Sequence, residues 1–376
     1  MKIAIVTSRY PKENEPYNHM FVHVRALFLN KIREEVTVFV PSKEKINYQI
    51  DGINVVCDFA ENIANQLEEY NLVYLHLLNV YPFRKDGGIA VYKKLLQLNI
   101  PTVMCIHGAE VLKYPKYLYD FSFTVEGIAK VLYRNFWHFP TMKKIVKKLN
   151  TKPTVGFLFP SQFIRKVTEE NFSLELNAVN IIANGIDTEL FKFNADFSKR
   201  NKILVLRPFE ENKAIDVAIK TMKYLPESFT MDIYGKGKLQ QKLQALIDTE
   251  KLSERVIIKN GFISRDELPG FFSNYGIFMS TTKIDTQGVI MCEAMAAGLL
   301  TCSNPVTAIP EFISDGETGI LGESSQEIAQ KIIEITNNSE LYYKITSQAR
   351  SSMEQIAVDV VGKKELDVFR NLIKNN

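Results

Sequence analysis

The chain has 376 residues, 46% of them hydrophobic and 24% charged. That is enough apolar material for two cores of ordinary domain size, and it excludes a disordered or low-complexity protein. A formal net charge of +3 is too mild to mark a nucleic-acid-binding chain. The four cysteines, Cys57, Cys105, Cys292 and Cys302, are scattered and three sit in apolar runs. This predicts reduced, buried thiols in a cytoplasmic protein and argues against a disulfide framework or a zinc site of compact spacing. The N-terminus opens on a strand-like run without signal-peptide pattern, and no apolar stretch reaches transmembrane length.

Short β-branched runs recur at Ile3–Val6, Val36–Val40, Ile53–Val56, Leu72–Leu75, Val103–Ile106 and Val155–Phe159, with amphipathic helical stretches between most of them. The alternation predicts a parallel sheet covered on both faces. It restarts at Ile203–Leu206, Met231–Tyr234, Val256–Ile258, Gly276–Met279 and Leu299–Cys302. Two Rossmann-like domains follow, residues 1–190 and 191–358, joined near the Asn184-Gly185 turn, with a helical tail over about 359–376. Ligands of such sheets bind beyond the carboxyl ends of the strands, so the residues there carry the functional reading.

After the first strand, Thr7 leads through a loop without glycine to Asn18-His19-Met20 at a helix start, a place for a phosphate, an acceptor or only a surface turn. His107-Gly108 after the fifth strand can bring an imidazole and bare backbone to a ligand; a structural histidine is the alternative. In the second half, Arg207 and Lys213 follow a strand and can converge on a diphosphate, the guanidinium as a fork and the ammonium as a point charge. Gly235, in Tyr234-Gly235-Lys236-Gly237, and Ile263, in Asn260-Gly261-Phe262-Ile263, mark two further strand ends. The run Asp285-Thr286-Gln287-Gly288-Val289 opens a helix that carries Glu293, so amides suited to an anion stand beside carboxylates suited to hydroxyls.

Taken in order, Asn184-Gly185-Ile186-Asp187, Arg207 to Lys213, Asp285 to Glu293 and Ala308-Ile309-Pro310-Glu311 through Gly319 resemble the retaining glycosyltransferases of the glycogen synthase and phosphatidylinositol mannosyltransferase type, the group 1 glycosyl transferases. The resemblance is strong in the second half and thinner in the first. It implies the α/β GT-B fold, two Rossmann-like domains facing across a cleft, with the last helix crossing back to the first domain. It implies that Glu293 holds ribose hydroxyls, that Asp285 and the amides of Thr286, Gln287, Gly288 and Val289 meet the donor sugar, and that Gly235 and Ile263 help to bind the nucleotide. Arg207 and Lys213 would neutralise the diphosphate, and His107 would lie near the reacting carbon. The family usually has Glu where this chain has Asp285, and a glycine pair where it has Asn18-His19.

The reaction so implied moves a sugar from a nucleotide donor, UDP by family frequency, to an acceptor hydroxyl with retention, needing no metal and no cofactor besides the donor. The sequence has no Asp-x-Asp pair or compact His/Cys cluster. Acceptors are expected to be glycans or lipid-linked glycans of cell-surface assembly. Between Glu126 and Glu169 there is no acidic residue, and lysines and arginines interleave with apolar side chains. Residues 128–152 therefore suit either an anionic membrane surface, reached from the cytoplasmic side, or a first-domain helix with its apolar face in the core. The competing readings are a noncatalytic GT-B partner or glycan-binding protein and, less well matched, a sugar-nucleotide epimerase.

Overall fold

The computed structural model describes every residue except Asn14, Phe83, Asp120, Asn260, Phe262, Asn375 and Asn376. The chain divides into two compact units, Met1–Gly185 with Val358–Asn376, and Ile186–Ala357. The division falls inside the Asn184-Gly185-Ile186 turn, ahead of the expected residue 190.

The first unit holds eight strands: β1 (Lys2–Thr7), β2 (Glu35–Pro41), β3 (Ile46–Ile50), β4 (Ile53–Asp58), β5 (Leu72–His76), β6 (Thr102–Cys105), β7 (Val155–Phe159) and β8 (Val179–Ile181). Their order is β3-β4-β2-β1-β5-β6-β7-β8, parallel except for the β3–β4 hairpin. Every residue of β5, β6 and β7 is buried, as in a sheet covered on both faces. The hairpin was not expected from the hydrophobic pattern, because β3 is a largely exposed edge strand of sequence INYQI. Asp51 and Gly52, both at positive φ, make the two-residue turn that defines it.

The second unit holds β9 (Lys202–Leu206), β10 (Thr230–Tyr234), β11 (Val256–Lys259), β12 (Ile277–Met279), β13 (Leu300–Ser303) and β14 (Ile320–Leu321). They form an all-parallel sheet in the order β11-β10-β9-β12-β13-β14. Strand order reverses on either side of β9, so the segment after Leu206 leaves the sheet at the switch point where doubly wound folds place ligands.

The last helix, Val358–Lys374, belongs to the first unit. Its Gly362 lies so close to the Phe28 ring that an added Cβ would stand 2.3 Å from ring carbons. Beside that contact Arg25 meets Glu365 at 2.8 Å, both side chains 3% exposed. Arg25 also donates to the Tyr74 hydroxyl, Asn184 Oδ1 and the Phe21 carbonyl. The ion pair joins residues far apart in sequence and ties helix Met20–Lys31 to the tail of the chain.

The expected basic segment resolves into two parts. Helix Phe139–Leu149 buries Phe139, Met142, Ile145, Val146 and Leu149 in the core and leaves Lys144, Lys147 and Lys148 in solvent. Lys152 turns back and donates to the carbonyls of Leu95, Leu96 and Leu98, closing the end of helix Ile89–Gln97. The core-facing alternative therefore holds for this half of the segment.

Candidate active site

Two loops converge in the second unit. Arg207 follows β9, and a short 3₁₀ turn, Glu211–Lys213, brings Lys213 alongside. The loop after β12 is laced to that turn: Thr281 Oγ1 donates to the Ala214 carbonyl, and Thr282 Oγ1 and Lys283 N both donate to the Asn212 carbonyl. Asn304 holds the same loop from the other side through Thr282 N and O. Thr307 Oγ1 accepts from Asp285 N and donates to Asp285 O, which fixes the backbone of the acid itself.

Asp285 is the centre of the arrangement. Its Oδ2 receives Arg207 Nη2 at 2.8 Å and lies 3.7 Å from Lys213 Nζ. Arg207 is 3% exposed and Lys213 20%, and Arg207 Nη1 is spent on the carbonyls of Ser280 and Thr281. Burial favours the protonated form of Asp285, but Lys213, Arg207 and the backbone amides outweigh it and hold its pKa below the usual carboxylate value. Burial lowers the pKa of Lys213, while the neighbouring carboxylate supports its charge. Two cations thus share one anion in a largely water-excluded site.

The other Asp285 oxygen turns onto the chain that follows it. Oδ1 accepts from the amides of Thr286 (2.9 Å), Gln287 (3.3 Å) and Gly288 (2.8 Å), the groups expected to face a donor sugar. Asp is short enough to curl onto its own turn in this way, as Asx turns do. Gly288, at φ 76°, makes the turn possible and precedes helix Val289–Ala297, whose Glu293 is 5% exposed.

Glu293 has a partner that the sequence did not reveal. Arg265 Nη1 donates to Glu293 Oε1 at 3.0 Å and Arg265 Nη2 lies 3.9 Å from Asp187. Burial pushes the Glu293 pKa up to about 7 against the pull of Arg265, with Asp187 adding to the rise. Arg265 comes from the loop after β11 and shares no short motif with Glu293, so only the fold unites them.

Gly235 has a backbone role. A Cβ there would stand 2.0 Å from the Arg207 carbonyl, and Arg207 N donates to Tyr234 O at 3.0 Å. Its lack of a side chain lets the Arg207–Phe209 segment pass close to the end of β10. Ile263 is half-buried and packs against the core of the second unit. Its neighbours Asn260 and Phe262 lie outside the described residues.

His107 stands in the first unit at the end of β6. Its Nε2 is 3.0 Å from His76 Nδ1, and its ring lies 4.5 Å from that of Phe21. Burial first, then the Arg25 charge, holds its pKa well below the ordinary imidazole value, so it is neutral at pH 7. His19 takes φ 48°, a left-handed conformation that suits glycine, and is braced by Thr7 Oγ1 at 2.8 Å. The fold also gathers His76, Cys105 and His107, whose ligand atoms lie within 4.8 Å of one another. Sequence spacing gave no sign of this group, because three separate positions at the ends of β5 and β6 supply it. Burial above all lowers both imidazoles, and the Arg25 charge that adds to the lowering also opposes a divalent cation there.

Two Rossmann-like sheets, the second with cations and acids at the carboxyl ends of its strands, define a protein of the GT-B class. Residues 187–352 match the family model described as glycosyl transferases group 1. That span makes up most of the second unit, which is similar there to the glycosyl transferases of group 1. The chain is 24% identical over 337 residues to alpha-monoglucosyldiacylglycerol synthase of Acholeplasma laidlawii, covering 85% of this chain and 80% of that protein. It is 26% identical over 171 residues to the poly(ribitol-phosphate) alpha-N-acetylglucosaminyltransferase of Staphylococcus aureus strain COL, covering 42% of this chain and 33% of that protein. The fold superposes on Anabaena HepE, solved in complex with UDP and glucose, with a TM-score of 0.74 at 15% identity, covering 99% of this chain and 100% of that one.

Proposed function

We propose that the protein is a retaining glycosyltransferase that moves a sugar from a nucleotide donor, with UDP as the expected base, to a hydroxyl of a glycan or glycolipid acceptor in cell-surface assembly. The observation that carries the reading is the convergence of Arg207 and Lys213 on one oxygen of Asp285. Two positive charges held by one negative charge leave a buried excess that a diphosphate neutralises.

In this reading the barrier is rupture of the bond between the anomeric carbon and the diphosphate oxygen. Arg207 and Lys213 stabilise the charge that grows on the leaving diphosphate, an interaction stronger in the transition state than in the ground state. A donor phosphate oxygen takes the acceptor hydroxyl's proton as the new bond forms on the same face of the sugar. Asp285 positions the cations and the turn that bounds the sugar site. Glu293 accepts hydrogen bonds from the ribose hydroxyls once Arg265 gives up part of its contact. His107, neutral at pH 7, serves as a hydrogen-bonding group for the sugar. The departure from Glu to Asp285 moves the carboxylate away from the sugar and onto the turn, which assigns sugar contact more to the amides that the carboxylate yields on donor binding.

Calorimetric titration with UDP, GDP, ADP and CMP sugars tests this. One base should bind selectively, and Arg207→Ala should weaken it by roughly 10- to 100-fold, the worth of a charge-assisted contact. No binding across the panel would favour the noncatalytic partner instead.

A further inference from the structure

The helical stretch from Val125 to Leu149 carries apolar residues at three- and four-residue steps throughout: Val125, Ile128, Leu132 and Phe136, then Phe139, Met142, Val146 and Leu149. Such a stripe ordinarily faces a core. Here only its second half is covered. Phe139, Met142, Val146 and Leu149 are at most 9% exposed, whereas Val125 is 86% and Phe136 75% exposed, and Phe123 in the preceding turn is 93% exposed. Half of the large hydrophobic side chains exposed anywhere among the described residues lie between Phe121 and Trp137. A contiguous apolar patch of this kind marks an interaction surface.

The strip is held outward by built contacts. Trp137 Nε1 donates to the Val80 carbonyl at 2.9 Å, Asn135 bonds both the N–H and the carbonyl of Tyr114, and Arg134 donates to the carbonyls of Ala109 and Leu112. These bonds come from one π-helical turn, Tyr133–His138, inserted between the two helices. The surroundings are on balance basic: the exposed Glu126 lies within the strip, but no acid follows it until Glu169, and Lys130, Lys144, Lys147 and Lys148 are exposed. The same turn supplies Arg134 and His138 to the wall of a cavity of about 250 Å³ that Ser8, Arg9, Tyr81 and Glu110 also line.

We propose that Phe121–Trp137 is a bilayer-inserting element that seats the first unit on an anionic membrane. Resting on the acceptor reading above, it holds the first unit against the surface that carries a lipid-borne acceptor. The membrane contact therefore lies upstream of the buried helix Phe139–Leu149, not along the whole of residues 128–152. Apolar insertion and the lysines contribute together, as in amphipathic membrane-surface helices.

Trp137 is the chain's one tryptophan, so its emission reports on the strip directly. The intact protein is titrated with vesicles of phosphatidylcholine alone or mixed with phosphatidylglycerol, without any sugar nucleotide. Anionic vesicles should sediment the protein, shift Trp137 emission to the blue and, when brominated in the acyl chains, quench it. The double substitution Phe123→Ser and Phe136→Ser, at exposed positions, should weaken vesicle binding by at least about tenfold while leaving the melting curve unchanged. High salt should weaken binding without abolishing quenching. Wild-type protein that ignores anionic vesicles at low salt, or equal binding by the double variant, would overturn the proposal. A dimer lost in the double variant without vesicle binding would also overturn it, assigning the strip to a second copy. Because no turnover is read, failure here leaves the transfer reading standing, and failure of transfer leaves vesicle binding interpretable.

Discussion

Replacing Asp285 with Asn keeps the shape of the turn and removes its charge. The Asn carbonyl can still accept from the amides of Thr286, Gln287 and Gly288, but the other arm now presents N–H groups to Arg207 and Lys213. Stranding a buried charge costs about 3–5 kcal/mol, and the partial exposure of Lys213 puts this site at the lower end, about 3 kcal/mol. In a unit of this size each kcal/mol moves the melting temperature by roughly 2–4 °C, so a drop of about 6–12 °C is expected. UDP or pyrophosphate should then raise the variant's melting temperature more than the wild type's, because the ligand restores the missing negative charge. Scanning calorimetry of both proteins at low salt, with and without UDP, reads this directly. Unchanged melting, or a loss that UDP does not recover, would refute the shared-anion reasoning.

The remaining predictions concern other buried charges. Glu293 binds its proton in the folded chain up to about pH 7, so its contribution to stability falls as pH rises from about 4.5 through 7. The proposed ribose contact uses the carboxylate form, so donor affinity should rise over the upper part of that range, and Glu293→Gln should flatten the profile in calorimetry. Glu365→Ala leaves Arg25 buried without its ion-pair partner and should cost about 3–5 kcal/mol in urea denaturation; a loss below about 1 kcal/mol would contradict the pairing. Burial lowers the pKa of His76 well below the usual value and that of His138 to about 3. Such groups take up protons first in the unfolded chain, so stability is full above about pH 6.5 and falls below it. His138 alone costs about 2 kcal/mol by pH 5, His76 acts in the same direction, and His76→Gln should reduce the slope of stability against pH.

The sheets were legible in the sequence because buried parallel strands are continuous apolar runs, as in Leu72–His76 and Val155–Phe159. The β3 edge strand was not, since a half-exposed strand lacks that signal and only Asp51-Gly52 announced it. The places of Arg207, Lys213, Asp285 and Glu293 at strand ends and a helix start were legible in the sequence. What Asp285 does there could not be read, because it depends on the turn geometry that lets a short side chain reach its own amides. Arg265 was missed for a related reason: a loop after β11 brings it to Glu293 with no local spacing to mark it. Covered and uncovered halves of the Val125–Leu149 stripe look alike in sequence, since periodicity states which residues share a face but not what lies against it.

Transfer at the Arg207 and Lys213 pair, as proposed, keeps the configuration of the anomeric carbon. Incubation of the protein with the nucleotide sugar it binds, followed at early times by proton NMR of the released or transferred sugar, tests it most directly. A first-formed product with the donor's anomeric configuration is expected, and it should be lost in Arg207→Ala. An inverted anomer, or a donor epimerised without release of the nucleoside diphosphate, would contradict it.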